Sequence, residues 1–333
     1  MQIEPVDPFD DEAFEAWHAA YLAADTAGRD YPAPWRLAEA RASFRNPDST
    51  TRREALAAVD DGRVVGAGTI VLPLLDNTRT AYVEVGVPPR HRRRRIGSAV
   101  LAALLDRARG AGRSNVIAEV SYPLGDAADH HGVRFATAHG FAEANTETHR
   151  VLDLPVPAAR LDAMLAGTEP SWADYRLVAW VDHAPDEWLQ AYADLNALFS
   201  SEAPFGDLDL EEERWDVARV REGEQLRLAQ GRRTFVTAAV GPAGALVGHT
   251  VLVVPSHDPG TVFQWSTLVH RDHRGHRLGL ALKLTNQRAM QDQCPGTRVI
   301  HTWNAETNGP MVAVNEQLGF RPVELLGEWQ RGV

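Results

Sequence analysis

The chain has 333 residues, of which 44% are hydrophobic and 24% are charged, and a formal net charge of −11. This length allows two domains and this composition is typical of a globular protein, while the negative charge argues against general nucleic-acid binding, which needs a basic face. Cys294 is the one cysteine, so an intramolecular disulfide and a cysteine-based zinc site are excluded.

The N-terminal residues and the hydropathy pattern indicate where the protein acts. No apolar run approaches the ~20 residues that span a bilayer. Residues 1–10 are acidic and contain proline, unlike a secretory signal. We therefore expect a cytoplasmic protein with no membrane partner and no metal.

The predicted elements of the first half begin with an amphipathic helix, whose apolar residues recur at helical spacing. A strand hairpin follows, then a third strand, a basic loop, a second helix, a fourth strand, a short helix and a last strand. The residues behind these predictions are 12–24 for the first helix, 57–59, 64–72 and 116–120 for strands, Val87 for the end of the third strand, Ile96 to Gly110 for the second helix, and Gly140-Phe141 before the last strand.

The second half repeats the same order of elements. Its predicted bounds are 188–198 for the first helix, 235–240, 246–254 and 299–303 for strands, Val269 for the end of the third strand, Leu278 to Pro295 for the second helix, and Gly319-Phe320 before the last strand. Antiparallel strands followed by a strand–helix–strand crossover predict an α+β fold, with a mixed, mostly antiparallel sheet flanked by helices in each half. We place the domains at 1–154 and 172–333, joined by a linker at 155–171 that is rich in proline and alanine.

An internal repeat explains this parallel order. At an offset of 182 residues, Val87 falls on Val269, Arg92 on Arg274 and Gly97 on Gly279. The two Gly-Phe pairs match at an offset of 179. Chance matches would not keep their order over about 80 residues, so the chain is a duplication.

The two basic loops carry the chemistry. They read Val87-Pro88-Pro89-Arg90-His91-Arg92-Arg93-Arg94-Arg95-Ile96-Gly97-Ser98 and Val269-His270-Arg271-Asp272-His273-Arg274-Gly275-His276-Arg277-Leu278-Gly279-Leu280. Each joins a strand to a helix, whose free N–H groups suit a phosphate, and Gly97 and Gly279 let a diphosphate approach the backbone. The run Arg90 to Arg95 is also compatible with a nucleic-acid patch, and one loop could be a structural remnant of an active ancestor.

These motifs resemble the GNAT superfamily of acetyl-CoA-dependent acetyltransferases. The signature loop of that family is Arg/Gln-x-x-Gly-x-Gly/Ala after a strand that ends in valine. Arg92 and Arg274 take the leading position, and both copies depart at the first glycine, where Arg95 and Arg277 stand. The resemblance implies two tandem GNAT domains, a layout similar to that of the mycothiol synthases, with the C-terminal domain catalytic.

The resemblance also implies which residues hold acetyl-CoA. In the second half these are Leu268, Val269, Arg274, Gly275, His276, Arg277, Gly279, Leu280, Asn304 and Asn308; in the first half they are Val87, Arg92, Arg93, Arg94, Arg95, Gly97 and Ser98. The second half keeps the asparagines expected along the pantetheine arm, whereas the first has Asp129 and Ala136 at the motif positions. Helix capping and turn formation are the alternative roles of Asn304 and Asn308.

Direct attack of an amine on the thioester needs a base, an oxyanion donor and a proton for the leaving thiolate. Asn315 stands where relatives place a tyrosine acid, and an amide donates a hydrogen bond but gives up no proton. Glu84 in the first half and Glu306 in the second are the candidate bases. A backbone N–H near Leu268-Val269 is the oxyanion donor that the resemblance implies.

The acceptor is expected to be a small molecule with a primary amine. The acidic stretch 200–213 would favour a cationic amine if it lines the acceptor pocket, although an ordinary solvated loop explains it equally. A non-catalytic acyl-CoA sensor is the alternative function, and a nucleic-acid binder based on Arg90 to Arg95 is a third.

Overall fold

The computed structural model describes residues 1–125, 127–202 and 204–333 and divides the chain into two compact units. The first unit consists of Met1–Glu147, Phe205–Glu211 and Val323–Val333, and the second of Thr148–Pro204 and Glu212–Pro322. The final residues of the chain therefore fold with the N-terminal half. The division at 1–154 and 172–333 stays a prediction from the repeat, because a repeat shows where homologous segments lie and not which segments pack together.

The elements follow in the predicted order. The helices are α1 Asp11–Asp25, α2 Leu37–Arg45, α3 Ile96–Gly110, α4 His131–Ala138, α5 Ala158–Ala166, α6 Asp186–Ala197, α7 Phe199–Glu202, α8 Val217–Ala229, α9 Leu278–Gln293 and α10 Gly309–Leu318. The strands are β1 Gln2–Val6, β2 Thr51–Asp60, β3 Arg63–Pro73, β4 Thr80–Gly86, β5 Asn115–Pro123, β6 Ala142–Asp153, β7 Arg176–Val181, β8 Arg232–Val240, β9 Leu246–Pro255, β10 Thr261–Val269, β11 Val299–Ala305 and β12 Arg321–Gly332.

The first unit is a mixed, mostly antiparallel sheet flanked by helices. Its strands lie in the order β1-β2-β3-β4-β5-β12, and only β4 and β5 in this series pair in parallel. The apolar stripe of α3 packs on the sheet, with Val100 and Leu104 fully buried. The predicted α+β fold is confirmed for this unit.

The second unit has the same architecture. Its strands lie in the order β11-β10-β9-β8-β7, β6 lies beside β11, and β10 and β11 are parallel. Helix α9 packs on this sheet through Leu278 and Leu282. The same strand–helix–strand crossover thus positions a loop in each unit.

The residues expected to form a linker are ordered in the second unit. Helix α5 lies within 155–171 and buries Leu161, with Met164 and Leu165 packed against the same core. The alanines that suggested a linker are also the best helix formers, and apolar residues at i, i+3 and i+4 give the helix a face to bury.

Candidate functional site

Each unit presents a strand–loop–helix junction at its basic loop. A single 3-10 turn, Pro89–His91 or Arg271–His273, precedes the leading arginine in each copy. Arg92 donates from Nε to the carbonyl of Val87 at 3.0 Å, and Arg274 donates likewise to Val269 at 3.2 Å. The leading arginine therefore ties the loop to the end of the strand in both units.

The loop backbone explains why relatives carry glycine in this motif. Arg95 and Arg277 precede their helices with φ of 62° and 55°, and Arg93 and Gly275 have φ of 65° and 86°. This left-handed region costs a residue with a side chain roughly 1–2 kcal/mol. Arg95 and Arg277, at the first glycine position, therefore keep the left-handed backbone that a glycine adopts there, at a cost in backbone strain.

The two helix N-termini differ in the space above them. A Cβ built on Gly279 meets no heavy atom of the described residues within 4 Å. A Cβ on Gly97 would lie 3.2 Å from Cε2 of Phe135. Nearby, the Ser98 hydroxyl is hydrogen-bonded to Nε2 of His139 at 3.0 Å. The junction of the second unit is thus open where a diphosphate would approach, whereas that of the first unit is filled by protein.

Charges near the second loop are already paired. Glu202 contacts the guanidinium groups of Arg271 and Arg274 at 2.7 and 2.6 Å, and its own side chain is 7% exposed. His276 is exposed and its Nδ1 lies 3.2 Å from the carbonyl oxygen of Ser171. A phosphate that enters this loop would compete with Glu202 for both arginines.

Other predicted cofactor residues differ in accessibility. Leu268 and Leu280 are buried, so only their backbone could serve a ligand. Val87 and Val269 are half-buried, and Arg94 forms an exposed ion pair with Asp60 at 2.7 Å.

Both units contain strands that separate at the crossover. In the second unit β10 and β11 pair only from Thr261–Val299 to Phe263–His301. In the first unit the pairing of β4 with β5 ends at Val83–Ala118. Beyond these points the paired backbones part, which leaves an opening beside each loop.

A β-bulge distinguishes the second unit. The register between β10 and β9 shifts between Gln264 and Thr267, so two residues of β10 stand opposite one residue of β9. The equivalent pairing of Ala67–Val71 with Tyr82–Gly86 runs without a shift. The side chain of Gln264 donates to the carbonyl of Val251 at 2.8 Å and secures the irregular backbone.

A chain of polar side chains leads from the core of the second unit to this opening. Lys283 donates from Nζ to Oδ1 of Asn315 at 2.7 Å, and Asn315 donates from Nδ2 to Oδ1 of Asn304 at 2.6 Å. Asn315 is fully buried and Asn304 is half-buried on β11. Asn308 occupies the N-cap position of α10 without a capping side-chain hydrogen bond.

Comparison with known proteins assigns the family and the fold. The model of the acetyltransferase (GNAT) family matches residues 17–141 and 188–320. The chain belongs to the GNAT acetyltransferase family.

A solved tandem GNAT protein from the clavulanic acid biosynthesis pathway is 31% identical, with a TM-score of 0.79, and the match covers 99% of this chain and 98% of the other. A GCN5-related N-acetyltransferase from Sphaerobacter thermophilus is 15% identical, with a TM-score of 0.63 and coverage of 99% and 95%. Comparison with curated protein sequences gave no match. The predicted tandem GNAT architecture and the assignment as an N-acetyltransferase are confirmed.

The family uses acetyl-CoA as its acetyl donor. Gly279 lies at a helix N-terminus with arginines nearby, and it leaves open a space that a Cβ would enter. These residues fit the diphosphate of acetyl-CoA. Among the described residues no group of His, Cys, Asp or Glu is arranged to hold a metal ion. No described helix is long and apolar enough to cross a membrane.

The strand register of this GNAT protein fixes which residues are equivalent in the two openings. Thr80 pairs with Asn115 as Thr261 pairs with Val299. Counting along the strands from these pairs, Glu119 corresponds to Trp303, whereas the offset of 182 residues between the loops would match it with His301. Likewise Val120 corresponds to Asn304, and the Trp265-Ser266 bulge occupies the place of Glu84.

A row of carboxylates crosses the first unit on one face of the sheet. Glu119 pairs with Glu328 of β12, and Glu84 follows Val83, the last residue of β4 that pairs with β5. The side chains of Glu84 and Glu119 are exposed, although the protein around each carboxylate displaces part of its hydration shell. This desolvation, with the charges of Asp25 and Glu119, raises the pKa of Glu84 to about 8. Desolvation and the charge of Glu328 raise the pKa of Glu119 to about 7.

The second unit has aromatic and neutral groups at the equivalent positions. The ring of Trp303 stacks on His149 with centroids 4.3 Å apart, and Trp265 is exposed. Ser266 Oγ lies 3.1 Å from Nε2 of His249. Burial lowers the pKa of His249 to about 4, so its imidazole is neutral near pH 7.

Glu306 is engaged elsewhere in the second unit. It accepts hydrogen bonds from Thr148 at 2.6 Å and from the buried Arg150 at 2.5 Å. The hydrogen bond from Thr148 and the charge of Arg150 lower the pKa of Glu306. A lowered pKa makes this carboxylate a weak proton acceptor.

Sequence reasoning missed Lys283 and His249, and it expected Glu202 in the acidic stretch of the acceptor pocket, whereas Glu202 pairs with two arginines of the basic loop. Lys283 carried one signal, because it is the chain's one lysine and lies beside the apolar stripe of its helix. The positions of Glu202 and His249 depend on long-range packing, which no local pattern reveals.

Proposed function

We propose that the second unit transfers an acetyl group from acetyl-CoA to a primary amine of a small molecule. The observation that carries this proposal is the open space above Gly279 at the N-terminus of α9. A helix N-terminus presents unpaired N–H groups and the positive end of its dipole. The corresponding space above Gly97 is occupied by Phe135, which favours the second unit.

Acetyl-CoA supplies the acetyl group as a thioester. The backbone N–H groups at the start of α9 bind the diphosphate, and Arg274 adds charge after release from Glu202. Asn304 and Asn308 hydrogen-bond along the pantetheine arm. A backbone N–H near Leu268-Val269 stabilises negative charge on the carbonyl oxygen. These assignments are part of the proposal.

The amine must lose a proton before it can attack. Ser266 stands on the bulge, at the place that Glu84 occupies in the first unit, with the neutral imidazole of His249 behind it. We assign to this pair the placing of the amine and of a water that accepts its proton, since the lowered pKa values of His249 and Glu306 make both groups weak bases.

The first unit is a second candidate site because of its carboxylate row. Glu84, Glu119 and Glu328 would attract a cationic amine. The raised pKa of Glu84, about 8, suits a general base near neutral pH. The crowded Gly97 argues against cofactor binding there.

Release of free thiol from acetyl-CoA, measured with a panel of monoamines, diamines and amino sugars, tests the function. The full chain is compared with Ser266→Ala and Glu84→Gln. Transfer in the second unit predicts a large fall in kcat for Ser266→Ala and little change for Glu84→Gln, and the reverse result places the reaction in the first unit. Binding of acetyl-CoA without turnover on any amine would instead support a sensor.

A further inference from the structure

The buried lysine of the second unit has no role in the acetyl transfer described so far. Lys283 is 3% exposed on α9, and its Nζ lies 5.6 Å from the centroid of the Phe320 ring. Burying an ammonium group without an ionised partner is costly, and a leucine would fill such a position at lower cost. Retention of this group therefore requires an explanation.

The duplicated fold supplies an internal comparison. Leu101, Ala136 and Val120 of the first unit correspond to Lys283, Asn315 and Asn304. Leu101 and Ala136 are buried in an apolar core. The fold therefore forms without the polar chain, which indicates that the second unit uses these groups for more than folding.

The hydrogen bonds that join Lys283, Asn315 and Asn304 all run in one direction. Lys283 donates to the oxygen of Asn315, which orients that amide so that its nitrogen donates to the oxygen of Asn304. The Nδ2 group of Asn304 is thereby held on the side away from Asn315. Asn304 lies beyond the last paired residue of β11, beside the opening between β10 and β11. Consecutive hydrogen bonds polarise one another, so a cation at one end strengthens the donor at the other.

We propose that Lys283 is a positioning residue for acetyl transfer, which acts through Asn315 to hold Asn304 as a polarised donor toward the departing thiolate. This inference rests on the proposed function of the second unit. The arrangement compensates for the missing tyrosine acid, whose place Asn315 takes. It stabilises the leaving thiolate by a hydrogen bond and a nearby positive charge instead of by protonation. Burial lowers the pKa of Lys283 to about 7, so the charge on this ammonium group changes with pH around neutrality.

Lys283→Met tests the inference, with Leu101→Met at the matching helix position of the first unit as control. The main readout is the apparent pKa of the thiol of bound CoA, followed by thiolate absorbance across a pH series. We expect Lys283→Met to raise it by about one unit, to lower kcat by about tenfold with little change in KM for acetyl-CoA, and to leave the melting temperature unchanged or higher. Leu101→Met should alter neither thiol pKa nor kcat.

Asn304→Leu is the second variant, in case Lys283→Met does not fold. It removes the donor beside the opening, leaves the hydrogen bond between Lys283 and Asn315 in place, and should raise the thiol pKa in the same way. An unchanged thiol pKa in either folded variant that still binds CoA would overturn the inference. Failure of the wild-type protein to bind CoA in the second unit would instead overturn the proposed function.

Discussion

Gly279→Glu is expected to separate stability from cofactor binding. The added side chain starts in open space, since the Cβ meets no described heavy atom within 4 Å. Gly279 is the second residue of α9. Replacing glycine in a helix gains up to about 1 kcal/mol, and an acidic residue in the first turn adds about 0.3–1 kcal/mol. The variant should therefore melt at the wild-type temperature or a few degrees higher.

The same substitution should weaken acetyl-CoA binding strongly. A glutamate and one phosphate charge about 4 Å apart repel by about 1 kcal/mol in water and about 4 kcal/mol where solvent is partly excluded. Each 1.4 kcal/mol is a factor of about ten, so the dissociation constant should rise between about fivefold and about 1,000-fold. The bulk of the side chain in the diphosphate path adds to this loss.

Isothermal titration with acetyl-CoA, thermal unfolding and steady-state turnover measure the three consequences. Gly279→Ala is the matched control, because it adds a methyl group in the same place without charge and should lose much less affinity than Gly279→Glu. Gly97→Glu should cost much less turnover, and it should not gain stability, because its Cβ would lie 3.2 Å from the Phe135 ring. Retained affinity in Gly279→Glu, or equal losses of turnover in Gly97→Glu, would refute the reasoning.

Three further predictions follow from the charges of the two units. Glu202→Gln frees the two loop arginines that Glu202 now pairs with. It should tighten acetyl-CoA binding by a few-fold, because ion pairs with solvent-exposed arginines are worth about 0.2–1 kcal/mol. Weaker binding in a titration would contradict this. Glu306→Gln removes the carboxylate that pairs with the buried Arg150 and should lower the free energy of unfolding by about 1 kcal/mol. A tenfold fall in kcat would instead show that Glu306 is the general base. The folded pKa of Glu84, about 8, exceeds its ordinary value of 4.5, so its contribution to stability is lost as pH rises through about 8. Glu84→Gln should therefore show a smaller loss of urea stability between about pH 5 and about pH 9, and an unchanged pH slope would exclude Glu84 as its source.

The sequence by itself determined the repeat, the order of elements and the two loops. The helical spacing of apolar residues, their alternation in strands and the glycine and proline stops involve only a few neighbouring residues. They can therefore be recognised without knowledge of the fold. For that reason the bounds of the second helix in each half, Ile96 to Gly110 and Leu278 to Pro295, agree closely with α3 and α9. The two arginines at the first glycine position were also visible, but only the backbone shows that both adopt the left-handed conformation.

The tertiary structure decided which residues meet. One inserted residue in the bulge of β10 puts Trp265-Ser266 in the place of Glu84, and two further residues between the basic loop and β11 put Trp303 in the place of Glu119. The last strand folds with the N-terminal unit, and Lys283 reaches Asn304 only through Asn315 on another helix. Strand register and packing between distant segments are set by burial over the whole unit, which a local sequence pattern does not contain.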